Sequence, residues 1–192
     1  MRRARVSIHS ADGSHARRLH ALIAAHLEEG RLLPRTLAEI TVHADRFVIG
    51  LRGRKIVACA ELAPLSQHVA EVRSLAVDKA ERGNGVGTLL VDELRRRARR
   101  DGFEKLCVFT HAPGYFIGMG FSIVPHLWLH EKIFTDCVTC PHFRRCGQYA
   151  MVVPLDEPAG RPAGDTGERP LGVAVPANSA PEGVPLAFVR YA

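Results

Sequence analysis

The stretch ERGNGVGTLL, residues 81–90, follows the branched apolar run VRSLAV and runs into the segment LLVDELRRRARR. A branched apolar run bounded by a glycine-rich turn reads as a β-strand. The segment after it carries Leu89, Leu90, Leu94 and Ala98 at spacings that can share one helical face. Arg82, Gly83, Gly85 and Gly87 therefore occupy a strand-to-helix turn. A helix start offers unpaired backbone N–H groups and the positive end of its dipole, and glycines let the backbone approach a ligand closely. Such a turn is a natural seat for phosphate.

The remaining segments fall into place around it. ARVSIHSA reads as a first strand, and HARRLHALIAAHLEE as a helix with a stripe of Leu19, Leu22, Ile23 and Leu27, capped by Ser14 and stopped by Gly30. Thr36 opens a second, short helix, with Glu39 placed as in a capping box. RFVIGLRGRKIVACAELAPL reads as a hairpin turning at Arg52-Gly53-Arg54, and HVAEVRSLAV as a long strand. EKLCVFT is a further strand, PGYFIGMGF a short helix ended by Gly120, and QYAMVVPL a closing strand. The order is strand, two helices, four strands interrupted by one crossover helix, then a helix and further strands. That is a mixed α/β fold.

Residues 1–155 hold all of these elements, and 156–192 change character. The later stretch is rich in proline and glycine and is expected to form a flexible tail. No apolar run reaches the roughly 20 residues of a membrane span, and the N-terminus lacks the apolar core of a secretion signal. A cytoplasmic location without a membrane partner is expected. The net charge of +6 comes largely from arginine clusters, the densest being Arg95, Arg96, Arg97, Arg99 and Arg100. No aromatic residues interleave with them and no nucleic-acid motif appears, so these arginines read as a solvated face rather than a nucleic-acid surface.

The segment RSLAVDKAERGNGVGTLLVDEL resembles the acetyl-CoA signature of the GNAT superfamily of N-acetyltransferases, Arg/Gln-x-x-Gly-x-Gly/Ala, here Arg82, Gly85 and Gly87. The resemblance implies a mixed, mostly antiparallel sheet flanked by helices, with a central strand pair that splays apart. It implies acetyl-CoA as co-substrate, its pyrophosphate held by the turn Arg82, Gly83, Asn84, Gly85, Val86 and Gly87. Its pantetheine arm would lie along Leu75, Ala76 and Val77 on the splayed strand. A narrower likeness, carried by GRLLPR, EVRSLAV, YF before GMGF, and EKIFTDCVTCPHFRRCGQYAMVV, is to the acetyltransferase domain of short-form bacterial N-acetylglutamate synthases. Those enzymes acetylate the α-amine of L-glutamate at the start of arginine biosynthesis. Another amine acceptor, or a binding module without catalysis, are the competing readings. The sequence contains no amino-acid-kinase segment, so arginine control through such a domain is not expected. The resemblance leaves a homodimer open.

Acetyl transfer requires a neutral amine, a proton acceptor, stabilisation of an oxyanion and protonation of the leaving thiolate. The resemblance carries a glutamate onto Glu71, the candidate base. Strict alternation would put Glu71 and Arg73 on one face of the strand and Val72 and Ser74 on the other, unless a bulge intervenes. Many superfamily members have a tyrosine at the position of Phe116. Here the tyrosine is Tyr115, pointing about 100° away on a helix, so it serves as general acid only from another direction. An acceptor with two carboxylates calls for two cationic subsites. Arg35 matches a carboxylate-binding arginine of the synthases, Arg73 and Ser74 match strand positions that help bind the amino acid, and Lys132, Arg144 and Arg145 are candidates for the second carboxylate.

Five cysteines argue against a disulfide framework. Cys59 and Cys107 fall in strand runs and read as buried apolar residues. Cys137, Cys140, His142 and Cys146 lie within ten residues and could hold a structural zinc, or the thiols could simply pack a compact loop. No metal is required for the transfer itself.

Overall fold

The computed structural model describes residues 5–29 and 32–155. Gly30, expected to stop the first helix, and the proline-rich segment 156–192 lie outside the described residues. Seven strands form one sheet: β1 (Ser7–Ser10), β2 (Phe47–Arg52), β3 (Lys55–Pro64), β4 (Val69–Val77), β5 (Lys105–Thr110), β6 (Ser122–Val124) and β7 (Tyr149–Pro154). Their order across the sheet is β1-β2-β3-β4-β5-β7-β6. Every neighbouring pair is antiparallel except the central β4 and β5, which are parallel. The five helices are α1 (Ala16–Ala24), α2 (Leu37–Val42), α3 (Val86–Arg100), α4 (Pro113–Ile117) and α5 (His130–Thr135). A parallel pair needs a crossover, and α3 supplies it.

The helices cover both faces. Leu90, Leu94 and Ala98 of α3 pack with Phe116 of α4 against Val48, Ala58, Ala60, Ala70 and Val72 on one side of the sheet. Leu19, Leu22 and Ile23 of α1, with Ile40 of α2, pack against Phe47, Ile49, Cys59 and Ala76 on the other. Val48 goes one way, Phe47 and Ile49 the other, as the two-residue period of a strand requires. The hairpin turns at Gly53, whose φ of 59° suits glycine.

Several local expectations give way to geometry. Leu89 is half exposed, because one residue of rotation takes it off the stripe on which Leu90, Leu94 and Ala98 sit. Leu27 falls beyond α1, in a 3₁₀ turn after the helix has ended at Ala24. Asp12, not Ser14, caps the first helical segment, accepting from the Ser14 N–H at 2.8 Å. Glu39 closes no capping box: Thr36 caps α2 alone, and the Glu39 carboxylate pairs instead with Arg35. Arg97 leaves the solvated arginine face entirely; it is buried and donates to the Ser10 hydroxyl at 2.8 Å.

The central feature is what β4 does along its length. It pairs with β5 only through Val69, Ala70 and Glu71. Beyond Glu71 no pairing continues, so the two strands splay and open a V-shaped cleft. On its other side, β4 loses register with β3: Cys59 opposes Ala76 and Glu61 opposes Arg73, leaving one extra residue on β4. That is a β-bulge. It sits at Ser74, whose φ of 50° is the one positive value at a non-glycine among the described residues. The bulge exchanges the faces. Ala70 and Val72 before it, and Leu75 and Val77 after it, meet the α3 core. Ala76 joins the α1 core.

Candidate active site

The glycine turn delivers what its composition suggests. Gly83 and Gly85 adopt φ of 76° and 74°, and Gly85 is the N-cap of α3 with no side chain to occupy the cap. The first intrahelical bond is made by the Leu89 N–H to Gly85, so the amides of Val86, Gly87 and Thr88 precede it. Three adjacent donors at the positive end of a fifteen-residue helix fit a pyrophosphate. Arg82, also expected at the phosphate, has protein partners at this turn. It donates to the Val77 carbonyl at 2.9 Å and to Glu29 at 2.8 Å, clamping the turn to the end of β4. Its hydrogen bond holds the Glu29 carboxyl below the usual range.

On and around β4, a cluster of charged side chains gathers from four separate segments. Glu71 is buried, and its Oε2 accepts from Arg73 at 2.5 Å and from Lys132 at 2.8 Å. Asp136, just past the end of α5, accepts from the same Lys132 at 2.8 Å and from Arg73. The four groups alternate in charge around a ring. Burial works against the Arg73 charge, but Glu71, Asp136 and Glu61 outweigh it and raise its pKa. Lys132 also stands 5.4 Å over the Phe109 ring.

Arg35 completes the cluster. Its guanidinium donates to Glu61 at 2.8 Å and to the Ser74 hydroxyl at 3.3 Å, and its Nε lies 2.8 Å from Glu39. Glu61 is almost fully buried on β3, directly opposite Arg73. Glu71, Arg73, Ser74, Lys132 and Arg35, all named from the sequence, are thus brought together. Glu71 and Arg73 share a face; Ser74 sits at the bulge itself rather than simply on the opposite face. Arg144 and Arg145 stand exposed in a 3₁₀ turn, Phe143–Arg145.

Residues 16–121 match the acetyltransferase (GNAT) family. The chain belongs to that family. Its sheet with a splayed central pair is the fold of the family's solved members: the N-acetylglutamate synthase of Neisseria gonorrhoeae, complexed with coenzyme A and N-acetyl-glutamate, superimposes with a TM-score of 0.70 over 80% of this chain and 36% of its own, at 23% identity. Rv2747 of Mycobacterium tuberculosis, solved with CoA, gives a TM-score of 0.66 over 77% of this chain and 98% of its own, at 21% identity. At the level of sequence, the chain is 34% identical over 128 residues to an N-acetyltransferase of Chlorobaculum tepidum, covering 66% of this chain and 82% of that one. It is 30% identical over 96 residues to an amino-acid acetyltransferase of Pectobacterium carotovorum, covering 49% of this chain but only 22% of that protein. The chain is therefore an acyltransferase of the N-acetyltransferase class. Among the described residues no helix is long and apolar enough to cross a membrane.

In this GNAT chain the tyrosine approaches from a direction the helix period does not suggest. Phe116 is buried in the α3 core, while Tyr115, half exposed, meets the Phe116 ring edge-on at 5.1 Å. The Tyr115 hydroxyl crosses to the first turn of α3, where a Cβ on Gly87 would lie 2.6 Å from it. Gly87 is needed for that approach, whatever it also does for a phosphate. The cysteine cluster is not gathered as a tetrahedral site would need. Cys137 and Cys146 belong to two successive 3₁₀ turns and their flanks, Cys146 and His142 are exposed, and no group of three or more metal-ligating side chains is assembled among the described residues. Burial pushes the Cys59 thiol up to about 12 and the Cys107 thiol well above its ordinary value, consistent with apolar packing.

Two members of the cluster escaped sequence reasoning. Glu61 is a single carboxylate inside the apolar run IVACAELA, an anomaly that itself signals a buried partner. Asp136 is four residues after Lys132, a spacing that favours pairing on a helix, but only the fold brings it to Arg73.

Proposed function

We propose that this chain transfers the acetyl group of acetyl-CoA to the α-amine of an amino acid, with L-glutamate as the preferred acceptor, in the cytoplasm and at the entry to arginine biosynthesis. The observation that carries this reading is a pair of cationic subsites, each on a buried carboxylate: Arg35 with Ser74 beside Glu61, and Arg73 with Lys132 on Glu71. A dicarboxylic amino acid needs two such subsites, and an arginine fork suits a carboxylate. A protein N-terminus or a simple amine needs neither.

Acetyl-CoA supplies the thioester carbonyl. Each remaining task falls to the chain. The α3 amides of Val86, Gly87 and Thr88 hold the pyrophosphate, and Leu75, Ala76 and Val77 on the splayed half of β4 line the pantetheine arm. Arg35 and Ser74 orient one acceptor carboxylate so that the amine points into the cleft. Glu71 receives the amine proton, directly or through water, which frees the lone pair for attack. Backbone N–H groups near Ala76 and Val77 face the oxyanion. The Tyr115 hydroxyl, reaching α3 at Gly87, returns a proton to the thiolate. No acyl-enzyme is needed, and the buried Cys59 and Cys107 have no part in the transfer.

The test is thiol release from acetyl-CoA by the purified protein across a panel of free amino acids, dipeptides and small amines. Turnover led by L-glutamate supports the reading. Turnover led by a peptide N-terminus or a monoamine overturns the acceptor while leaving the acetyltransferase.

A further inference from the structure

The cations of the acceptor cluster are already matched by carboxylates before any ligand arrives. Arg35 is bonded to Glu61 and Glu39, and Arg73 and Lys132 together are balanced by Glu71 and Asp136. A dianionic acceptor gains little by joining such a cluster unless it takes over cations from a carboxylate already present. Around Arg73 and Lys132, the carboxylates are not equally able to give them up. Glu61 and Glu71 are in central strands with side chains 1% and 4% exposed, and neither can swing away without opening the sheet. Asp136 has a side chain 38% exposed and follows the last turn of the six-residue helix α5, outside the sheet altogether. Its Oδ2 also takes a corner that Glu71 Oε2 does not need, since both oxygens draw on the same Arg73 and Lys132.

We propose that Asp136 is the specificity-determining residue of the acceptor site: an internal stand-in for the acceptor's second carboxylate, displaced when a dicarboxylic acceptor binds. This rests on the amino-acid reading given above. An acceptor with one carboxylate leaves Asp136 in place and gains nothing from the Arg73–Lys132 fork. A second carboxylate at the correct distance takes both donors, and Asp136 turns out to water, where its charge is solvated at little cost. The side chain thereby sets a threshold: the fork stays neutralised in the empty enzyme and is released only to a ligand that can replace a carboxylate in kind. Displacement also separates two functions of the same cations, since Glu71 keeps its own bonds throughout.

The test titrates glutarate, a dicarboxylate with no amine to acetylate, into wild type, Asp136→Asn and Asp136→Ala by calorimetry, with L-glutamate and L-glutamine turnover measured alongside. Removing the competing charge is expected to tighten glutarate by about fivefold or more. It is also expected to lower KM for L-glutamate more than for L-glutamine, with KM for acetyl-CoA unchanged. Weaker or unchanged glutarate binding in both variants, with their melting temperatures preserved, overturns the proposal, because a clasp that merely positions Arg73 and Lys132 would lose affinity when removed. Absence of L-glutamate turnover in the wild type refutes the amino-acid reading instead. The glutarate titration still decides the role of Asp136 in that event.

Discussion

The two halves of the cleft are built by opposite means. The coenzyme half is backbone: glycines at positive φ, a helix start without a capping side chain, and amides that hold no partner within the helix. The acceptor half is side chain, a ring of paired charges on a bulged strand. A backbone site needs contiguous residues and tolerates little change. A side-chain site gathers distant residues and can be retuned one position at a time.

That contrast can be broken from either side. Glu71→Gln removes the proton acceptor and is expected to lower kcat by roughly 100- to 10,000-fold, with the loss greatest at pH values where the acceptor amine is protonated. A pH–rate profile parallel to wild type removes Glu71 from that role. Gly85→Val places a branched side chain at φ 74°, strain of about 1–3 kcal/mol that a folded domain can absorb. It is expected to weaken acetyl-CoA by on the order of 100-fold through lost amide contacts, measured calorimetrically, while glutarate binding is retained. Equal loss of both ligands would mean that the halves are not separable.

On the acceptor side, Arg35→Ala is expected to raise the acceptor KM by about 10- to 100-fold with the acetyl-CoA affinity intact. Glu61→Gln should give a smaller rise of the same kind, because Arg35 loses the buried carboxylate that positions it but is still held by Glu39 and Ser74; an effect on acetyl-CoA instead would refute that assignment. The contact between Tyr115 and α3 sharpens the boundary between the halves. Gly87→Ala forces its Cβ against the Tyr115 hydroxyl, and Tyr115→Phe removes that oxygen, so the double variant should recover melting temperature relative to Gly87→Ala alone. Additive losses would place the hydroxyl elsewhere. The mildest expectation concerns the thiols: with Cys59 pushed up to about 12 by burial, it and Cys107 should resist alkylation at pH 8 in the native protein while the exposed Cys146 reacts.

What sequence could convey follows the same division. The turn at Arg82–Gly87 was legible because its chemistry is written in consecutive residues, and the strand and helix on either side confirm it by their periods. Glu71 and Arg73 were readable as neighbours on one face. Their relation to Lys132 and Asp136, some sixty residues on, arises only when the segment after β6 folds back over β5. The Ser74 bulge leaves no trace in composition, since serine is not a residue chosen for positive φ; it is held there by the register of β3. Arg97 looked like one more solvated arginine, and its burial depends on Ser10 and Phe47 from the far edge of the sheet. Local chemistry is inscribed locally, and charge pairing across the sheet is not.

The additional residue in β4 divides the strand into two stretches of different character. By resetting the alternation midway, it insulates the stretch that greets the acceptor from the stretch that borders the coenzyme. Glu71 and Arg73 before Ser74 carry charge, while Leu75 and Val77 after it keep their places against the α3 core. A single inserted residue thus gives one strand two different outlooks along its length.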